Sequence, residues 1–420
     1  MIERLPGLLG ITTILLVAYL WSGKHRNKIP WRLVGIGLVL DFLLGLIILK
    51  VPGTSDAFQA LGRGVNGIMD FAMEGASFVF GDTITYGKFF KPGQEALQGE
   101  FVFAVRIGIS IIYVSGLCAL GYYFGILQRI VNGMSFLLRK TLNLTGAESL
   151  SSVAACFVGQ VESQLLIRPY MPKLTRSELF TSMTAAMATA SGSALVMYMS
   201  MGINATYLIA ASLMSALGGI ILSKIIIPEH QPEMIQKDVT LHVDDKGVNV
   251  FDAAAKGVRH GTEIAVSVIT MVAFAIGLMG MLNYGLAQLL GVFGWHAQIQ
   301  EIFAVPFMPI AWLIGVPWHD CFFAGKLIAT EVLFNEVVSY HDLSQVIHGG
   351  GAMVLAERTQ MILTCALCGF AHLGSIGIQI GGLGAMAPER RGEIAKLAFK
   401  SMIVANMATW LTAAICGIIF

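Results

Sequence analysis

Charge is scarce in this chain: only 13% of its 420 residues are Asp, Glu, Lys or Arg, about half the share of an ordinary soluble domain. With 55% hydrophobic residues and a mean hydropathy of +0.72, that shortage excludes a soluble globular protein and leaves an integral membrane protein. Basic tracts are missing, so nothing points to nucleic acid. Cysteines are few and scattered. Cys365 and Cys368 share a CxxC spacing, but in an apolar helical run with no second pair, so they read as small packing residues and not as a redox or zinc motif. No His/Asp/Glu cluster has metal spacing and no nucleophile elbow occurs. The glycines at 349–351 lack the Lys-Ser/Thr that a phosphate loop needs. Neither an enzyme nor an ATP-driven pump is indicated, and no cofactor is expected. The opening Met1-Ile2-Glu3-Arg4-Leu5-Pro6 has no basic n-region and no small-residue cleavage site follows, so it reads as an uncleaved first span.

What the chain does have is long apolar runs. A span needs roughly 20 such residues, and runs at 5–21, 33–51, 101–127, 179–200, 207–227, 265–292, 359–382 and 394–419 give about eight crossings. Residues 52–100 suggest an amphipathic helix outside the bilayer core, and 228–258 a hydrophilic connection. Two stretches, 149–173 and 303–343, are too marked by Gly, Pro and polar residues to cross simply. We read them as re-entrant hairpins, because irregular backbone at bilayer depth survives only inside protein or beside water. Each carries an acid, Glu162 in Gly159-Gln160-Val161-Glu162 and Glu336 in Phe334-Asn335-Glu336-Val337. A charge at that depth costs about 3 kcal/mol on insertion scales, so it is there for a function. Each hairpin precedes an apolar run broken by small residues, Ser191-Gly192-Ser193 and Gly374-Ser375-Ile376-Gly377.

Lysines and arginines at 24–32, 139–140, 173–176, 256–259 and 390–400 fall on one side, which the positive-inside rule makes cytoplasmic. The first hairpin then enters from the cytoplasm and the second from the opposite face. The expected fold is thus all-α, with the two hairpins in an inverted repeat, the plan of secondary transporters that bind substrate at the midplane. The expected divisions are 1–148, a scaffold of early spans and interfacial helices; 149–227, hairpin 1 with two spans; 228–301, a cytoplasmic connection and a scaffold span; and 302–420, hairpin 2 with two spans.

The runs Gly159-Gln160-Val161-Glu162, Leu166-Ile167-Arg168-Pro169-Tyr170, Thr175-Arg176-Ser177-Glu178, Asn335-Glu336-Val337-Val338-Ser339-Tyr340 and Cys368-Gly369-Phe370-Ala371-His372-Leu373-Gly374-Ser375 closely resemble the concentrative nucleoside transporter family. The resemblance covers nearly the whole chain. It implies a homotrimer in the cytoplasmic (inner) membrane, with a scaffold around a mobile transport domain. It also implies that Gln160, Val161, Glu162 and Ala194 face a nucleobase, and that Glu336, His372 and Ser375, with Phe370 packing nearby, face a ribose. The chemistry suits that ligand: Gln160 offers donor and acceptor to a base edge, and an ionised Glu336 accepts from two hydroxyls.

Three positions depart from the family pattern. Val161 replaces a hydroxyl-bearing residue and His372 an Asn. Ala155 stands where sodium-coupled members place an Asn, although Thr189 and the carbonyls of Val158 and Ala190 match the rest of that ion site. A methyl cannot ligate a hard cation. Proton coupling is therefore expected over sodium, with Glu162, Glu336 or His372 as carrier. Sodium coupling, transport of modified nucleosides such as pseudouridine, and a passive channel are the other readings. Asp41, midway along the second span, is expected to make an interhelical hydrogen bond, and Arg168-Pro169 to anchor hairpin 1. Met183, Met187, Met197, Met199 and Met201 are expected as plastic packing for a moving helix.

Overall fold

Helix caps and glycines punctuate the chain where charge does not. The computed structural model describes residues 4–51, 53–82, 102–230, 247–291, 298–348 and 354–420, with isolated positions between 85 and 98. Much of the connection read at 228–258, and the glycines at 349–351, lie outside the described residues. The early part consists of α1 (Leu5–Trp21), α2 (Trp31–Lys50), α3 (Thr54–Phe80), α4 (Phe103–Tyr123) and α5 (Ile126–Leu142). A short antiparallel pair, Lys88–Phe89 with Leu97–Gln98, precedes α4. Among the described residues, six helical segments are long and apolar enough to cross a bilayer. Two of the expected crossings fall short of that: α1 has 17 residues, and 359–382 is split in two.

Hairpin 1 is α6 (Gly146–Val158), a turn at Gly159, α7 (Glu162–Leu165) and a 3-10 turn over Arg168–Lys173. It leads to α8 (Arg176–Ala188), α9 (Gly192–Ser200) and α10 (Ala205–Ile226), and then to the long α11 (Val250–Gly291). The second half has α12 (Ile299–Leu313), α13 (Cys321–Leu333), α14 (Glu336–His348), α15 (Glu357–Ala366), α16 (Leu373–Met386) and α17 (Arg391–Ile419).

The reading of 303–343 as one hairpin needs correction. Pro306 and Pro309 lie inside the unbroken helix α12, and hairpin 2 is α13 with α14. Proline is tolerated there because close neighbours compensate for the lost ladder bonds. Helix α13 runs against α12 with Gly325 so close that a Cβ would lie 2.6 Å from the Ala304 carbonyl oxygen. Residues 128–138, between the third expected span and the first hairpin, belong to the regular helix α5.

The two hairpins rest on opposite ends of the bundle. At one end Arg390 donates to the carbonyls of Met171 and Leu174 at 2.8 and 2.7 Å, Lys224 pairs with Glu148, and the His25 and His230 rings meet edge-on at 4.5 Å. That end holds the foot of hairpin 1, and Arg390 anchors it there through the two carbonyls. At the other end Tyr207 donates to Glu357 at 2.7 Å, Arg358 to the carbonyls of Gly315 and Gly417 at 2.7 and 2.9 Å, and Thr359 to Asp320 at 3.2 Å. There hairpin 2 has its foot. The opposed arrangement expected from charge bias is what the packing delivers.

Helices α1 and α2 lie against α10 and α17, whereas α4 pairs along its length with α11. The second contact follows from a small-residue seam, Gly257-Val258-Arg259-His260-Gly261. A Cβ on Gly257 would sit 2.8 Å from the Ser115 carbonyl oxygen, and one on Gly261 2.8 Å from Ile112 Cα. Such spacing lets backbones approach where lipid supplies no hydrophobic drive. Gly257→Val should force α4 and α11 apart at a cost of about 1–3 kcal/mol, read as a lower thermal midpoint of the purified protein.

Asp41 departs from expectation. It is fully buried in α2, yet neither carboxylate oxygen has a hydrogen-bond partner among the described residues. The packing one turn to each side is apolar, Ile221 against Gly37 and Met214 against Gly45, so no interhelical donor is supplied. The five methionines singled out in the sequence are all buried in the main core.

Candidate functional site

Four chain breaks converge on the middle of the bundle, and each has a local cause. Helix α6 starts on a capping box, Thr145 with Glu148, and ends at Gly159, whose φ of +113° favours glycine. Any Cβ there would also lie 2.7 Å from Glu162 Oε2. Helix α8 starts on the matching box, Thr175 with Glu178, and stops at Thr189, where the backbone turns extended. Ser191 then caps α9 by accepting from the Ala194 amide at 3.3 Å. In the second half α13 ends at Leu333, and Asn335 Oδ1 accepts from the Val338 amide at 3.0 Å to start α14. Helix α15 ends at Ala366 and α16 resumes at Leu373 with extended His372 before it. Asn406 of α17 holds that gap open by donating to the Ala371 carbonyl at 2.6 Å. Breaks of this kind turn helix ends, with their free amides and carbonyls, toward one point.

The side chains at these breaks form two polar groups. In the first, Gln160 Nε2 reaches Ser375 Oγ at 3.5 Å, and Gln379 Nε2 donates to Gln160 Oε1 at 3.3 Å. Hairpin 1 and helix α16 are thereby tied together. In the second, the Tyr198 hydroxyl donates to Glu336 Oε1 at 3.1 Å, and His372 Nε2 stands 3.5 Å from Glu336 Oε2. Tyr198 stacks on Tyr340 with centroids 4.2 Å apart, and Tyr340 donates to the Thr364 carbonyl at 2.7 Å. His372 and Ser375 are joined through the backbone, the Ser375 amide donating to the His372 carbonyl at 3.0 Å.

Several polar atoms here are buried without a hydrogen-bond partner among the described residues: Glu336 Oε2, His372 Nδ1, Gln379 Oε1 and both oxygens of Glu331. Leaving such atoms unpaired costs about 1–3 kcal/mol apiece, so the cluster is built to be completed by a ligand, water or protons.

The other expected residues are placed as follows. Val161 packs on α16, where a Cβ at Gly382 would meet its methyls at 2.6 Å. Ala194 is buried in the first turn of α9, and Phe370 is half-buried against the core. Glu162 does not join the Glu336 group. It turns toward α11 and meets His260 Nε2 at 3.2 Å. At the candidate ion site, Ala155 is fully buried, Thr189 Oγ1 donates to the Ala186 carbonyl at 3.3 Å, and the Ala190 carbonyl already accepts from Ser212 at 3.2 Å. Val158 lines a cavity beside Glu162.

Gln379, Tyr198 and His260 are members that residue-by-residue reading missed. Gln379 had a usable signal, since it follows Ser375 by one helical turn and shares its face. Tyr198 and His260 had none, because their roles depend on which helix they face.

Three known sequence patterns match in order along the chain: Na+ dependent nucleoside transporter N-terminus over residues 9–83, nucleoside recognition over 104–205, and Na+ dependent nucleoside transporter C-terminus over 207–417. The chain is 35% identical to an uncharacterized transporter of Haemophilus influenzae, covering 99% of this chain and 97% of that one. It is 34% identical to the nucleoside permease NupC of Helicobacter pylori, covering 99% and 98%. It superimposes with a TM-score of 0.91 on CNTnw in an inward-facing substrate-bound state, at 35% identity and covering 99% and 98% of the two chains.

Proposed function

The chain belongs to the concentrative, Na+-dependent nucleoside transporter family and is a multi-pass membrane protein; from that premise we propose that it is a secondary active importer of nucleosides across the cytoplasmic (inner) membrane. The observation that carries this reading is the convergence of Gln160, Ser375, Glu336 and His372 from opposed hairpins and broken helices, with unsatisfied acceptors among them. Glu336 accepts from the ribose hydroxyls, Ser375 and His372 complete the sugar subsite, and Gln160 reads the base edge. Glu162 and Ala194 flank the base and Phe370 packs beside the sugar. A pocket built to bond hydroxyls rejects analogues lacking them far better than an apolar pocket can. Val161 offers no hydroxyl to the base, which leaves room for a modified nucleoside such as pseudouridine. A passive channel fits less well, since side-chain bonds tie the tip of hairpin 1 to α16 and the tip of hairpin 2 to α9.

Proton coupling is supported by the site chemistry. Two carboxylates, Glu331 and Glu336, are buried close to each other with one imidazole, His372, against Glu336, and burying uncompensated charge is costly unless protons neutralise it. Ala155 contributes only a methyl to the candidate ion site. The family's description favours sodium instead, with Thr189 and the carbonyls of Val158 and Ala190 as ligands. Transport by elevator-like movement in a homotrimer is the matching mechanical proposal. The seam-packed pair α4 and α11 supports a stationary unit, with α1 and α2 assigned to the same scaffold and packed on α10 and α17.

Binding of a nucleoside panel to the purified protein, with and without sodium and at two pH values, tests these readings together. Ribonucleosides are expected to bind, 2′,3′-dideoxy analogues to bind poorly, and affinity to follow pH and not sodium. Strict sodium dependence would overturn the proton reading alone. Equal affinity for dideoxy analogues would overturn the ribose assignment.

A further inference from the structure

Glu162 has a partner that the substrate reading does not account for. Behind hairpin 1 lies a cavity of about 310 Å³, enclosed by the hairpin, by Ser193 of α9, and by α4 and α11. Its walls are largely apolar, with Phe157, Tyr122 and Ile264 among them, and Glu162, His260 and Lys256 also line it. The volume falls at the small end of the range for ligand pockets. The Tyr122 hydroxyl is buried there without a hydrogen-bond partner among the described residues. Across this space His260 Nε2 stands 3.2 Å from Glu162 Oε1, with side chains 47% and 32% exposed. The contact joins the tip of hairpin 1 to α11, directly beside the glycine seam that fixes α11 on α4.

We propose that His260 is a positioning residue that holds Glu162 toward α11, and that an entering nucleobase must take Glu162 from it through a base N–H. The inference rests on the reading of Glu162 as a base contact and deepens it. Carboxylate oxygens accept from imidazole or from a base amide N–H alike, and a Glu162 side chain turned to α11 must swing away from His260 to meet the base, so the two donors compete for its direction. Substrate capture thereby releases the hairpin from the α4–α11 pair, which links occupancy to the freedom of the hairpin to move. The latch is pH-sensitive, because protonating His260 converts a hydrogen bond into an ion pair. The other groups facing His260 are Glu162 from hairpin 1, Cys118 and Tyr122 from α4, and Lys256, Arg259 and Glu263 on α11 itself. Of these, Arg259 and Glu263 are occupied with each other at 3.5 Å and largely exposed.

The test is nucleoside affinity of the detergent-purified protein, measured by calorimetry at about pH 5.5 and pH 7.5, on either side of the ordinary histidine pKa. His260→Ala is expected to tighten binding about five- to tenfold at the acid pH, the scale of removing a half-exposed charged contact, and to flatten the difference between the two pH values. His260→Gln, which keeps a donor without the charge, should flatten the pH difference with a smaller gain, and guards against a packing defect in the alanine variant. Glu162→Gln should weaken binding in both backgrounds. If Glu162→Gln weakens binding while both His260 variants bind as the parent does, the latch is wrong and the base contact stands. If Glu162→Gln binds normally, the base contact is wrong and the competition falls with it.

Discussion

Glu336→Gln is expected to weaken ribonucleoside binding at least about 100-fold while leaving the fold intact. The carboxylate accepts from the Tyr198 hydroxyl through Oε1 at 3.1 Å, and its Oε2 has no hydrogen-bond partner among the described residues. An amide keeps the shape and can still accept from Tyr198, but its second atom becomes a donor that faces the sugar hydroxyls. Hydrogen bonds to a charged acceptor are worth about 1.5–3 kcal/mol each. Losing one and repelling a second donor therefore reaches the factor of 100. The fold should not suffer, because removing a buried charge also removes its desolvation cost. The measurement is calorimetric titration with a ribonucleoside and with its 2′,3′-dideoxy analogue, alongside a thermal melt. The expected pattern is a large loss for the first ligand, almost none for the second, and an unchanged or raised melting midpoint. A variant that bound both ligands as the parent does would remove Glu336 from the sugar subsite.

The parts of this site that were legible in the sequence are those written in local chemistry. Acids at bilayer depth and glycine and serine breaks are each decided within a few residues, so Glu162, Glu336 and Ser375 could be found. Opposite entry of the hairpins was also readable, because charge bias is a property of loops. Facing relations were not. Glu162 and Gln160 are two residues apart, yet one turns to α11 and the other to α16, and nothing in their neighbours determines that. Pro306 and Pro309 misled for a related reason. In water a proline ends a helix, whereas α12 has α13 pressed against it. Asp41 shows the same limit from the other side: its burial was foreseeable, but the apolar character of what it faces was not.

Lys224→Met is expected to be the most destabilising of the substitutions considered, costing about 3–5 kcal/mol. Lys224 lies within the apolar helix α10, 4% exposed, paired with Glu148, which is 1% exposed, and donating to Ser177 at 3.0 Å. Glu148 closes the capping box that starts hairpin 1, accepting from the Thr145 amide at 3.2 Å, and Glu178 does the same for α8 at 2.8 Å from Thr175. One ammonium therefore stands between two buried carboxylates that begin the two halves of the hairpin unit. Without it Glu148 keeps its capping bond and loses its counter-charge, the costly half of breaking a buried pair. The consequence should be a steep fall in folded yield and in the thermal midpoint. Glu148→Gln combined with Lys224→Met should recover much of the loss, since glutamine still serves the capping box and neither charge of the pair is then left alone. Melting curves for the two single variants and the double variant form a cycle that isolates the pair. A Lys224→Met protein as stable as the parent, or a double variant worse than either single one, would show that the foot of hairpin 1 is held without the Lys224–Glu148 pair.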